Sequence, residues 1–350
     1  WAFTVAEWLV IPTNLPLFFD GRFPSEQYWR VWLILGLLFA LSALSWGVHA
    51  QNAPKLFGRN TVIGLAIAAV MCLAVPTGIP SRLLLLVFLA GLAGFAWLGR
   101  QLARQVPGMG SMTSAAWGLM FIVTMWLLLG GLGLPTISTD LWGGLLLTLL
   151  ISVVSTVLSF PFGVILALGR RSSLPVIRGL ATIYIELIRG VPLISILFIG
   201  QIIIPLFLPE GMRPDNVLRA VIGLTLFTAA YLAENIRGGL QSIPRGQTEA
   251  SQSLGINTPL TLALIILPQA LKVSIPAIVG QFISLFQDTT LVSIVGLLEL
   301  LGISRAILTQ EAFRGDYAEV YLFIGLIYWV FCYAMSIGSR KIEASLKTTN

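Results

Sequence analysis

Long apolar runs alternate with short polar stretches along the whole chain. Each run has about the 20 apolar residues needed to cross a bilayer as a helix. The pattern predicts spans near 31–48, 61–79, 83–99, 115–133, 141–169, 180–208, 217–236, 270–297 and 318–338. The prediction is an all-α integral membrane protein. One stretch breaks the pattern. GQTEASQSLGINTPLTLALIILPQA, residues 246–270, lies between two spans, yet its first half is too polar for lipid.

Composition agrees with the pattern. Mean hydropathy is +0.91, and only 10% of residues are charged, against roughly a quarter in soluble domains. The formal charge of +6 comes with no basic run or basic-aromatic patch, so it is read as membrane topology and not as nucleic-acid binding. Lys55, Arg59, Arg100, Arg104, Arg170, Arg171, Arg178, Arg237, Arg245, Arg340, Lys341 and Lys347 fall in one set of loops; the other set is mixed in sign. The basic set is expected to be cytoplasmic. Strict alternation then places residues 1–29 outside, and the 246–270 stretch and the C-terminus inside. The start at Trp1 lacks a signal-peptide pattern, and sequence upstream of it is expected. Cys72 and Cys332 lie within apolar runs and read as buried small residues; His49 is the only histidine, so a metal site is not expected.

Local chemistry predicts a helix-turn-helix in the unusual stretch. Pro244 suits a helix start, and Arg245 to Leu254 favours helix. Gly255 suits the left-handed position that ends one. Thr258 is then expected to cap a second helix with Pro259 at its first position, and Pro268 to bend that helix as it becomes a span. The first helix carries small and polar side chains at Thr248, Ala250, Ser251 and Ser253, a surface suited to a protein groove. An amphipathic connector lying on the membrane has the same pattern.

Other residues leave open alternatives. Thr148, Ser152, Ser155 and Ser159 form a hydroxyl stripe that either bonds a neighbouring helix or lines a wet path; Gly163 and Ala167 continue it as small residues. Glu186 and Arg189, like Glu234 and Arg237, are three apart and can pair on one helix face, as anchors or as a latch at an inner gate. Gly190 and Pro192 predict a helix break after Arg189. Asp288, in QDTTLVSIVG, is a carboxylate within a span. It is expected either to cap a half-helix starting at Thr289 or to contribute to a substrate site.

The 246–270 stretch resembles the EAA loop of ATP-binding-cassette importer permeases. Glu249, Ala250, Ser251, Gly255, Ile265, Leu267 and Pro268 match its spacing, with Ser251 where the pattern has a second Ala. IELIRGVPL (185–193), AAYLAENIRGGLQSIPRGQ (229–247) and QFISLFQDTTLVSIVGLLELL (281–301) are similar to the polar amino acid uptake branch. LWGGLLLTL (141–149), PLFLPEG (205–211) and the extra N-terminal spans resemble its M-type permeases. The resemblance implies the type-I importer fold over residues 134–350, with the coupling loop at 244–268, and a peripheral extension of about four spans over 1–133. It implies a bacterial inner-membrane permease subunit of an amino acid importer, with no cofactor of its own. ATP and Mg would bind a partner ATPase dimer, since no G-x-x-x-x-G-K-[ST] loop occurs here. A second, homologous permease subunit and a periplasmic amino-acid-binding protein complete the expected set. Within this reading Glu249, Ala250, Ser251, Gly255, Ile265, Leu267 and Pro268 couple to the ATPase. Asp288, Thr289, Ser155 and Ser159 are pathway candidates, and Glu186, Arg189, Glu234 and Arg237 inner-gate candidates. An ion-gradient-driven secondary transporter is the alternative. A membrane enzyme lacks any nucleophile-base set or paired carboxylates.

Overall fold

The computed structural model describes residues 7–51, 56–59, 62–63, 65–66, 69 and 79–347. The span expected over 61–79, with Cys72 in it, falls mostly outside these residues. The described secondary structure is helical. The elements are α1 (Val10–Asp20), α2 (Tyr28–His49), α3 (Ile79–Gln105), α4 (Met109–Leu129), α5 (Gly144–Arg170), α6 (Pro175–Gly190), α7 (Leu193–Phe207), α8 (Asn216–Ser242), α9 (Arg245–Ser253), α10 (Thr258–Val295), α11 (Leu300–Leu308) and α12 (Tyr317–Lys347). Among the described residues seven helices are long and apolar enough to cross a membrane, or eight if α6 and α7 make one broken span. The protein is therefore multi-pass.

Contacts divide the chain into two units, residues 24–138 and residues 1–23 with 139–350. Residues 7–23, read from the sequence as part of the N-terminal extension, thus group with the later spans. In the smaller unit, α2 and α3 cross at small residues. A Cβ on Gly47 would lie 1.9 Å from the Ala96 carbonyl oxygen, and one on Gly99 2.2 Å from that of Leu44. Backbones can approach this closely only where side chains are absent. Arg30, fully buried at the start of α2, donates to the carbonyls of Leu127 (3.2 Å) and Pro135 (2.9 Å).

The larger unit has two apolar cores. One is built by Val10 and Phe18 of α1, Leu145 of α5, Leu300, Ile303, Ile307 and Leu308 of α11, and Val320 and Ile324 of α12. The Gly143-Gly144 pair in LWGGLLLTL gives α1 its place there: Gly144, at φ +57°, would put a Cβ 2.4 Å from the Phe18 carbonyl oxygen. The second core joins α5, α6, α8 and α10 through Ala167, Ile185, Leu232, Ala233, Ile236, Leu240, Ile266, Ala270 and Ile278. Gly163 lets α5 settle on α8, where a Cβ would meet Leu232 Cβ at 2.7 Å. Gly239 does the same for α8 on α10, beside Ser274 and Ala270.

The 180–208 run is not a straight span. α6 and α7 are bent by 104° at Val191–Pro192, at the break predicted after Arg189. Proline lacks the N–H that would continue α6 and disfavours helical backbone in the residue before it; Val191 accordingly sits at φ −107°, ψ 134°.

Candidate coupling elbow and polar faces

α8 ends at Ser242, Pro244 takes an extended backbone, and α9 begins at Arg245. α9 closes with a Schellman turn: the Gly255 N–H donates to Gln252 O (2.9 Å) and the Ile256 N–H to Ser251 O (3.1 Å), with Gly255 at φ +76°. This is the left-handed glycine stop expected from the sequence. The cap of the next helix differs by one residue. Asn257 holds it, its Oδ1 accepting from the Leu260 N–H at 3.0 Å, and Thr258 is the first helical residue. Asparagine caps at least as well as threonine, and it lies where the chain is still extended. From Thr261 to Ile266 the helix widens to π geometry, then resumes as α-helix at Leu267. Pro268 has no N–H for the turn below it, and the wider turn accommodates that gap.

The residues expected from the sequence to couple split into two groups in this elbow. Glu249, Ala250 and Gly255 are exposed, as is Pro268. Ser251 is buried, and Ile265 and Leu267 pack on the core around Ile236 and Ile266. Leu254, which the sequence reading passed over, is 79% exposed at the tip of α9.

Beside the elbow, charges tie three helices together. Glu234 on α8 accepts from Arg170 of α5 (2.8 Å) and Arg237 (2.7 Å) and pairs with Arg189 of α6 at 3.7 Å. Arg170 also donates to Glu186 at 2.7 Å. The Glu234–Arg237 pair forms as its spacing predicted. The Glu186–Arg189 pair does not: Arg170 engages Glu186 instead, and Arg189 turns to Glu234 and stacks over Tyr231 at 5.4 Å. Spacing along one helix shows which residues can meet there, and Arg170 arrives from another helix.

In the hydroxyl stripe, Ser155 and Thr148 meet neighbouring helices, and Ser159 bonds within its own. Ser155 is buried and donates to Val221 O of α8 (3.4 Å), and buried Ser159 to Thr156 O (3.1 Å). Thr148 accepts from the Leu300 N–H at 3.1 Å. Thr289 is also fully buried and donates to Phe286 O at 2.7 Å. These three pathway candidates, Ser155, Ser159 and Thr289, line no exposed face of the chain.

Asp288 is different. It does not cap: Leu267–Asp288 runs without interruption into a 3₁₀ turn over Thr289–Val295, and Asp288 has helical backbone and no side-chain bond to the following N–H groups. A cap needs a break that frees N–H groups, and the continuous turn supplies none. Asp288 is half-buried at the end of a row spaced by four, Lys272, Pro276, Gly280 and Ser284, all exposed, with exposed Gln287 beside it. Lysine, glutamine, serine and aspartate on the outside of a span are costly against lipid. Such a face calls for a protein or aqueous neighbour.

A buried polar node was also missed from the sequence. Glu299, fully buried between α10 and α11, accepts from the N–H groups of Leu301 (2.8 Å) and Gly302 (2.9 Å) and from Tyr328 Oη (3.2 Å). Burial pushes its carboxyl up to about 7, against the opposing pull of the two backbone donors. The signal available was modest: an acid immediately before an apolar run, in the place of a helix cap.

The described residues thus hold membrane-crossing helices with a polar helix-turn-helix set outside the apolar runs. Residues 159–348 match the family of binding-protein-dependent transport system inner membrane components, and the chain belongs to that family. It is 40% identical to the glutamate/glutamine/aspartate/asparagine transport system permease protein BztC of Rhodobacter capsulatus, over 98% of this chain and 80% of that one. It is 43% identical to the inner membrane amino-acid ABC transporter permease protein YhdY of Escherichia coli K12, over 76% of this chain and 71% of that one. A crystal structure of an amino acid ABC transporter with histidines matches 58% of the chain and 92% of its own, at 32% identity and a TM-score of 0.52. The fold is that of type-I importer permeases with extra N-terminal helices. The chain is a permease of an ABC importer, and in such importers a separate subunit hydrolyses ATP.

Proposed function

We propose that this chain forms part of an amino acid translocation pathway and couples it to a separate ATPase dimer through α9. The observation that carries this is the elbow: an exposed helix with small side chains and a bare Leu254, locked by a left-handed glycine turn to the start of a span. Such a part can transmit a push only if a partner clasps it. The names of the relatives point to an amino acid substrate. In this reading the elbow and the C-terminus are cytoplasmic, and ATP and Mg sit on the partner. A second permease subunit of related sequence covers the polar face of α10, and a periplasmic binding protein delivers the substrate. The pathway then runs along Lys272, Gly280, Ser284, Gln287 and Asp288, with Ser155, Ser159 and Thr289 supporting the helices from behind. The cluster of Glu186, Arg189, Glu234 and Arg237, joined by Arg170, closes the inner end.

The test is uptake of radiolabelled glutamine and glutamate by proteoliposomes holding the complete transporter. Uptake is expected to require ATP inside the ATPase compartment and to survive collapse of proton and sodium gradients. Uptake driven by a gradient without ATP would overturn the reading and favour an ion-coupled secondary transporter, for which Asp288 would be the ion-binding carboxylate.

Asp288 gives a second expectation. If its carboxylate faces the pathway, Asp288→Asn, nearly isosteric, lowers uptake about tenfold or more while assembly is unchanged, as expected when one charged contact is lost. Uptake at the wild-type rate would remove Asp288 from the pathway.

A further inference from the structure

Ser251 is the point at which this chain departs from the pattern its coupling loop resembles, which has alanine there. It is also the buried residue of α9, 2% exposed, while its neighbours face outward. Its hydroxyl lies 2.6 Å from that of Thr261, itself 2% exposed, at the first residue of the π turn. The pair is satisfied in either direction. When Ser251 donates to Thr248 O (3.1 Å), Thr261 donates to Ser251; when Ser251 donates to Thr261, Thr261 has Ile256 O within reach at 3.5 Å.

We propose that the Ser251–Thr261 hydroxyl pair is a clasp that fixes the angle between the coupling helix and its span, making Thr261 a positioning residue for transport. The inference rests on the docking of α9 to an ATPase. The mechanical reason is local. Between α9 and the straight part of α10 stand a sharp turn at Gly255 and a widened π turn at Thr261–Ile266. The turn is stiffened by its two backbone bonds. Those bonds act only between Ser251 and Ile256. The clasp joins the only buried side chain of α9 to Thr261, on the far side of the Gly255 turn. It holds α9 and the first turn of α10 at one angle, so that a push on α9 reaches the span instead of opening or closing the turn. An alanine in place of Ser251 fills the same space but offers no bond.

The test compares Thr261→Val, which keeps the shape and removes the hydroxyl, with Thr261→Ser, which keeps the hydroxyl. Both are made in the full chain and reconstituted with the complete complex. The readouts are co-purified ATPase, thermal stability, and radiolabelled glutamine and glutamate transported per ATP hydrolysed. The valine variant is expected to hold wild-type amounts of ATPase and to lose about three- to tenfold in transport per ATP, the range set by one hydrogen bond. The serine variant is expected to return to within about twofold of wild type. An unchanged ratio in the valine variant overturns the clasp, as does an equal loss in the serine variant. If the wild-type chain itself retains no ATPase, the docking reading fails and the clasp fails with it; retained ATPase with an unchanged ratio sinks the clasp alone.

Discussion

Gly255→Pro is expected to leave the chain folded in the membrane and to abolish ATP-driven uptake. Gly255 sits at φ +76°, and proline is fixed near −65°, so the turn cannot close as it stands. The substitution also removes the N–H that bonds Gln252 O at 2.9 Å. Together these cost about 3 kcal/mol or more, all of it within an exposed elbow whose loss leaves both apolar cores in place. α9 would then swing free of the direction in which Ser251 and Asn257 hold it. Space is not the issue, because nothing lies within 4 Å of where a Cβ would stand. Gly255→Asn, which tolerates the left-handed region, should therefore keep most of the activity, and Gly255→Ala should fall between, at about 1–2 kcal/mol of strain. The measurement is co-purified ATPase and its hydrolysis with substrate present. Normal stimulated hydrolysis in the proline variant would show that the elbow does not carry the coupling.

The same elbow shows what the sequence made legible. The glycine stop at Gly255 and the helix start after Pro244 have local causes that act within a few residues, so their geometry could be written down from the chain alone; the next helix start was legible to within one residue, Asn257 capping it in place of Thr258. The spans were legible for a similar reason, since lipid demands apolar length whatever the tertiary fold. What could not be read depends on which helix lies beside which. Ser155 has the same spacing whether it faces water or Val221 of α8. Glu186 was in reach of Arg189 along α6, yet Arg170 reaches it from α5. The capping role of Asp288 assumed a break that the 3₁₀ continuation removes. α1, 11 residues long, is too short for the apolar-length pattern that marks a span; its place against α11 comes from the glycines at 143 and 144, more than a hundred residues away. Close-approach glycines were thus visible as residues, but not the partners they admit.

Glu234→Ala is expected to be the most damaging single change outside the elbow. Glu234 is 15% exposed and faces three arginines, whose own side chains are 23–36% exposed. Removing it leaves those three guanidiniums clustered at the ends of α5, α6 and α8 with Glu186 as the remaining counter-charge in the network. A fully buried pair broken on one side costs about 3–5 kcal/mol. Here the arginines reach water, so the loss is discounted to about 1–3 kcal/mol. Arg189 keeps its place over Tyr231, whereas Arg170 loses its contact from α5 to α8 and Arg237 its partner on the same helix. Glu234→Gln retains an acceptor without the charge and should fall between. Thermal unfolding of the purified complex checks the size of the effect, and a loss below about 0.5 kcal/mol would class the network with ordinary surface ion pairs. Function separates an anchor from a gate. α8 leads through Pro244 directly into α9, so a network that holds α8 against α5 and α6 also restrains the elbow. If it is a latch of the inner gate, the alanine variant hydrolyses ATP faster without substrate than the wild type does. If it only anchors the fold, less complex is recovered and its substrate-free hydrolysis per molecule is unchanged.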